Sequence, residues 1–131
     1  MARSDADAVR SLYGIDWSAV TERTRGLAAA AEVMAPDVVA LISPQVGDRT
    51  LRGVADFAVF VEGLEEDFSV FRYDVDSVEE TAPGQFVLRG VIHARGRRSK
   101  MPLSSPFTHV WTFRDGRAVR VEANLGPPPT S

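Results

Sequence analysis

The spacing of apolar positions changes near residue 68, helical before it and strand-like after it. Over residues 5 to 34 one turn-spaced stripe carries Val9, Leu12 and Tyr13 and another carries Val20, Leu27, Ala31 and Met34. Gly14 and Gly26 interrupt them, which predicts two or three short helices. Asp16, ahead of Trp17-Ser18-Ala19-Val20, is placed to act as an N-cap. Pro36 ends the helical pattern, and residues 37 to 42 (DVVALI) read as a short strand that stops at Ser43-Pro44. Residues 45 to 52 read as a loop. In VADFAVFVEGLEEDF, Val54, Phe57, Val61, Leu64 and Phe68 share one helical face while Glu62, Glu65, Glu66 and Asp67 lie off it, which predicts an amphipathic helix.

From residue 68 the period is two: FRYDVDSV, QFVLRGVIHARG, SSPFTHVWTF and AVRVEANL, separated by APG, GRRSK and RDG. Asp115-Gly116 is a tight-turn signal, because both residues tolerate the positive φ of a two-residue hairpin. Four consecutive strands after helices, one strand and a helix predict an α+β domain over residues 1 to 125, with helices on one face of a curved antiparallel sheet. The tail GPPPTS removes backbone donors and is expected to be a disordered terminus.

Composition narrows the functional classes. The 131 residues suffice for one core. A net charge of −3 argues against a nucleic-acid binder. The charge is uneven: 6 Arg against 12 acidic residues up to residue 67, then 9 basic against 6 acidic. With no cysteine and two histidines far apart in the chain, no metal site is expected. The start MARSDADAVR is charged without an apolar core, and no apolar run approaches the ~20 residues that span a bilayer, so a cytoplasmic protein without membrane contact is expected.

APDVV, the GVADF helix start, the RGR hairpin and PFTHVWTFRDGRAVRVE resemble the SnoaL-like branch of the nuclear transport factor 2-like superfamily, over roughly residues 8 to 125. The resemblance implies a cone: a bent, mostly antiparallel sheet wrapped around the N-terminal helices, an apolar cavity open at one end, and a homodimer. It implies a small-molecule-binding protein for a polyketide-, steroid- or terpenoid-like ligand, which is a cyclase, isomerase or dehydratase working without a cofactor. The competing expectation is a non-catalytic structural or ligand-carrying dimeric module. Fold alone does not choose between them.

Alternation puts Phe107, His109, Trp111 and Phe113 on one strand face and Thr108, Val110, Thr112 and Arg114 on the other. The aromatic face is the one to bury, so His109 points at the cavity. Against the ketosteroid isomerase pattern, His109 falls where that family places a hydrogen-bond donor to the substrate oxygen. It is the one catalytic candidate, as an oxyanion donor or as an acid/base group titrating near neutrality. The isomerase base comes at the end of the first strand, where this chain has Ser43, which cannot act as a carboxylate; Asp37 is expected to cap or orient that strand. An epoxide-hydrolase set does not assemble, because Arg89, Arg95 and His93 share the outward face opposite Leu88, Ile92 and Ala94. Tyr13, Trp17, Tyr73, Trp111, Phe107 and Leu125 are the expected ligand contacts, the first four joining an apolar body to a polar handle. The tip RGRRSK could attract an anion but reads more simply as a solvated hairpin. The outward face with Val91, Thr108, Val110 and Thr112 carries little charge and is the expected dimer surface.

Overall fold

The computed structural model describes residues 5–42 and 49–125, with the side chain of Leu125 outside the description. Three helices, α1 (Asp5–Ser11), α2 (Val20–Val33) and α3 (Gly53–Asp67), are followed or flanked by six strands. These are β1 (Met34–Ile42), β2 (Arg49–Arg52), β3 (Phe68–Ala82), β4 (Gln85–Gly96), β5 (Pro102–Arg114) and β6 (Arg117–Leu125). They form one curved sheet in the order β2-β1-β6-β5-β4-β3. Every pairing is antiparallel except that of β1 with β6. No helix among the described residues is long and apolar enough to cross a membrane.

The meander β3 to β6 follows the period-two reading. Asp115 and Gly116 form the predicted turn, with φ of 53° and 80°. Inward residues Phe86, Leu88, Ile92, Ala94, Phe107, Trp111, Phe113 and Val121 pack with Val9, Leu12, Ala30, Val61 and Leu64 of the helical layer into a single core. Arg89, Val91 and His93 face outward, as expected, and are only partly covered. The predicted amphipathic helix is α3.

Elsewhere the local reading is corrected. Gly26 does not break a helix, because α2 runs unbroken from residue 20 to residue 33. The glycine is a notch: a Cβ there would come within 2.8 Å of the Trp17 indole and 2.9 Å of the Ile15 side chain. Asp16 does not cap α2 either. Its Oδ1 accepts from Ser18 N at 3.0 Å, Ser18 Oγ at 2.6 Å and Phe71 N at 3.1 Å, while the helix starts after Ala19 with no side-chain cap. Part of the expected 45–52 loop is β2, which pairs with β1 from Val39↔Arg52 to Ile42↔Arg49. β1 itself starts at Met34, ahead of Pro36, and its ladder to β6 is irregular between Met34 and Val39. Ser43, Pro44 and the tail GPPPTS lie outside the described residues.

The basic hairpin tip is not wholly solvated either. Arg97 Nε donates to Glu65 O at 2.6 Å and its NH2 group to Phe68 O at 3.2 Å. A cation therefore sits against carbonyls where α3 ends and β3 begins, the end of the helix dipole that favours positive charge.

Candidate functional site

The site is assembled by a clamp between the α1–α2 turn and β3. Asp16 Oδ1 takes the amide hydrogen of Phe71, and Trp17 N donates to Phe71 O at 2.9 Å. Trp17 Nε1 donates back to Leu12 O at 3.1 Å, closing the turn over its own indole. Tyr13, in the middle of this turn, is thereby held over the inner face of β5.

There it meets both polar handles of that face. Trp111 Nε1 donates to Tyr13 Oη at 2.8 Å, and Tyr13 Oη lies 2.6 Å from His109 Nδ1. An indole N–H can only donate, so the phenol oxygen accepts from Trp111, and Nδ1 is the acceptor within reach of its single hydrogen among the described residues. Assigned so that the phenol hydrogen is paired, His109 carries its proton on Nε2, the ring nitrogen away from Tyr13.

Burial fixes the charge states. Desolvation lowers His109 from 6.5 to about 3, so the imidazole is neutral near pH 7 rather than titrating there as expected of an acid/base group. Tyr13 is pushed well up by desolvation and by neighbouring Tyr73, with the Trp111 hydrogen bond opposing. Desolvation likewise raises Tyr73. Both phenols stay protonated, and the group offers a donor without any net charge.

The rings around it are tightly set. Phe107 lies parallel to Tyr13 with centroids 6.0 Å apart and tilts against His109 at 4.7 Å. Tyr73 stands edge-on to Tyr13 at 5.0 Å and to His109 at 5.4 Å.

In front of His109 is a cavity of about 70 Å³. His109, Tyr13, Trp17, Tyr73 and Trp111 line it, together with Leu12, Met34, Phe57, Phe60, Val61 and Val121. A second space of about 30 Å³ shares Ile42, Phe60, Tyr73, His109 and Ala123 with it. Among the described residues no carboxylate lines either space, and no cluster of three metal-ligating side chains occurs. Both volumes fall well short of the ~300–1,000 Å³ of pockets that enclose drug-sized ligands.

Five of the expected site residues therefore share one cavity. Phe107 does not line it: at 1% exposure it stands behind the wall, supporting Tyr13 and His109. The side chain of Leu125 lies outside the description; its backbone pairs with Phe107. Asp37 is exposed on β1 and is no part of the cavity wall. His93, on the outer face, lies 3.2 Å from Ser104 Oγ through Nδ1 and 3.7 Å from Asp74 Oδ2 through Nε2. The walls supplied by α3, namely Phe57, Phe60, Val61 and Leu64, are not assigned to the site by the sequence. Its apolar stripe marks Phe57 and Val61 as buried, but nothing local in the sequence says what they face.

Residues 15–121 match the SnoaL-like domain. No curated protein matches the chain in sequence. Among solved structures, a nuclear transport factor 2-like protein of unknown function from Burkholderia pseudomallei K96243 is 22% identical, with 94% of this chain and 92% of that one covered at a TM-score of 0.78. TerC, co-crystallised with polyporic acid, is 22% identical over 93% and 92% of the two chains, TM-score 0.77. A protein described as a SnoaL-like polyketide cyclase from Jannaschia sp. CCS1 is 15% identical over 95% and 90%, TM-score 0.77. At these identities the likeness is one of fold.

Proposed function

The chain belongs to the SnoaL-like domain family, and from that premise we propose that it binds a small, mostly apolar molecule whose oxygen accepts a hydrogen bond from Nε2–H of neutral His109. The observation that carries this reading is the Trp111–Tyr13–His109 chain, which leaves the imidazole with one donor and no charge at the edge of an apolar cavity. A carbonyl is the group that fits such a donor, since it accepts strongly and tolerates desolvation better than an ion. Co-crystallisation of TerC with polyporic acid accords with a small-molecule ligand.

Binding is favoured over turnover. Proton abstraction needs a base, and the described cavity wall supplies neither a carboxylate nor an imidazole that can charge near pH 7. A polycyclic ligand does not fit the cavity as it stands, so a single ring is the appropriate first probe. The chain is further proposed to form a homodimer through the outer sheet face, where Val91, Val110 and Thr112 are only half-covered by this chain; sedimentation as a monomer at micromolar concentration would refute this.

The test is a titration with cyclohexanone and with methylcyclohexane, read by the fluorescence of Trp17 and Trp111. Wild type should prefer the ketone by about tenfold, the worth of a net hydrogen bond in a desolvated site. His109→Leu, similar in bulk and without a donor, should lose that preference. Equal binding of both compounds by wild type would remove His109 from ligand recognition.

A further inference from the structure

Tyr73 lines both spaces of the site and also a third, an outer groove of about 730 Å³. Tyr13 is likewise shared by the main cavity and the groove, so the two tyrosines form the partition between them. The groove is bounded by Gly14, Ile15, Asp16 and Glu22 on the helical side and by Val70, Arg72, Asp74 and His93 on the sheet side. Its character is the opposite of the cavity's.

The two halves of the partition are held unequally. Tyr13 Oη is fixed by Trp111 and His109. The Tyr73 hydroxyl makes no hydrogen bond among the described residues, and its ring meets Tyr13, Phe71, Phe107 and His109 edge-on. Turning Tyr73 aside therefore costs ring contacts but no hydrogen bond, and it joins the small apolar space to the large polar one.

We propose that cavity and groove are the inner and outer halves of one site for an amphipathic ligand, a single apolar ring inside and a short arm bearing an amine outside, with Tyr73 as the movable partition. The inference rests on the reading of the cavity given above. It explains how a cavity of about 70 Å³ can serve a ligand larger than itself. The amine follows from charge. The groove holds three carboxylates, Asp16, Glu22 and Asp74, against the Arg72 guanidinium and the His93 imidazole, so it is net negative in either state of His93. Asp16 and Glu22 are also fixed in place: Glu22 Oε1 accepts from Asp16 N at 3.3 Å, and Asp16 Oδ1 is held by Ser18 and Phe71. A cation arriving there meets carboxylates whose positions are already set.

Three probes with one ring and a short arm separate the possibilities: 2-phenylethylamine, 2-phenylethanol and 3-phenylpropionate, titrated at low salt against tryptophan fluorescence. The amine should bind about tenfold more tightly than the alcohol, and the propionate more weakly than either. In Glu22→Gln/Asp74→Asn, two exchanges that keep the side-chain shape, the alcohol should bind as in wild type and the amine advantage should shrink to about threefold or less. Alcohol binding with no amine advantage, or with the propionate favoured, would overturn the groove's role and leave the cavity reading standing. Failure of all three probes to bind would overturn both.

Discussion

The chain's two histidines sit on neighbouring strands and on opposite faces of the same sheet. His109 on β5 is 6% exposed, neutral, and bonded to a tyrosine brought in from 96 residues away. His93 on β4 faces outward beside Asp74 and Ser104, with its side chain 41% exposed. Nothing in the imidazole distinguishes them; the phase of the pleat does. One residue's shift in register would exchange a cavity-facing imidazole for a solvated surface group.

The largest expected contrast is in stability. His109→Ala opens a void and leaves Tyr13 without its acceptor, so it should cost roughly 3–4 kcal/mol in urea unfolding. A cost below about 1 kcal/mol would mean that the buried hydrogen bond does not form in solution.

Acid should expose the same difference. His109 falls to about 3 in the folded state against 6.5 in the unfolded chain, so the unfolded state binds the extra proton between those values. The stabilisation is complete above pH 6.5 and is lost as pH falls toward 3. Acidification from pH 7 to 4.5 should therefore cost roughly 2–3 kcal/mol from this group. His109→Gln should flatten the profile by that amount, and an unchanged slope would place the acid sensitivity elsewhere.

Tyr13→Phe keeps the ring and removes the hydroxyl that joins Trp111 to His109. It should destabilise by about 1–3 kcal/mol and speed hydrogen exchange at the Trp111 indole. An exchange rate like that of wild type would break the assigned chain of bonds. The smallest effect belongs to the other face: His93→Ala and Ser104→Ala should each change stability by no more than about 0.5 kcal/mol. A larger loss at His93 in a concentration-dependent unfolding experiment would instead mark it as part of an interface between copies.

What was legible in the sequence divides along the same line. Period-two alternation and the Asp115-Gly116 turn are local signals, so the meander, the inward face of β5 and the buried position of His109 could be read directly. α3 was legible for the same reason, through the apolar stripe Val54, Phe57, Val61 and Leu64; Phe68, read as its last member, opens β3 instead. The Tyr13–His109 bond was not, because it depends on the Asp16–Phe71 clamp, which joins residues 55 positions apart. β2 reads as loop in the sequence because RTLR has one buried residue, Leu51, and no alternation long enough to detect. Gly26 reads as a helix breaker because propensity weighs the glycine alone, whereas its neighbour Trp17 decides its role. The strand face of Phe107 points it toward the cavity, but a face is deeper than the surface a cavity exposes.

The parallel pairing of β1 with β6 has a consequence for the order of folding. Residues 39–42 find their ladder partners at 120–123, about as far apart in the chain as this topology permits. On a chain emerging from the ribosome, β1 can pair only with the four residues of β2 until the last strand has been made. The helices then have no complete sheet to cover, and the cavity has no floor, since Val121 and Ala123 come from that strand. Closing so long a loop is entropically slow, so folding should be late, cooperative and rate-limited by arrival of the final strand. A nascent chain stopped before residue 118 should stay protease-sensitive however well its first helices form.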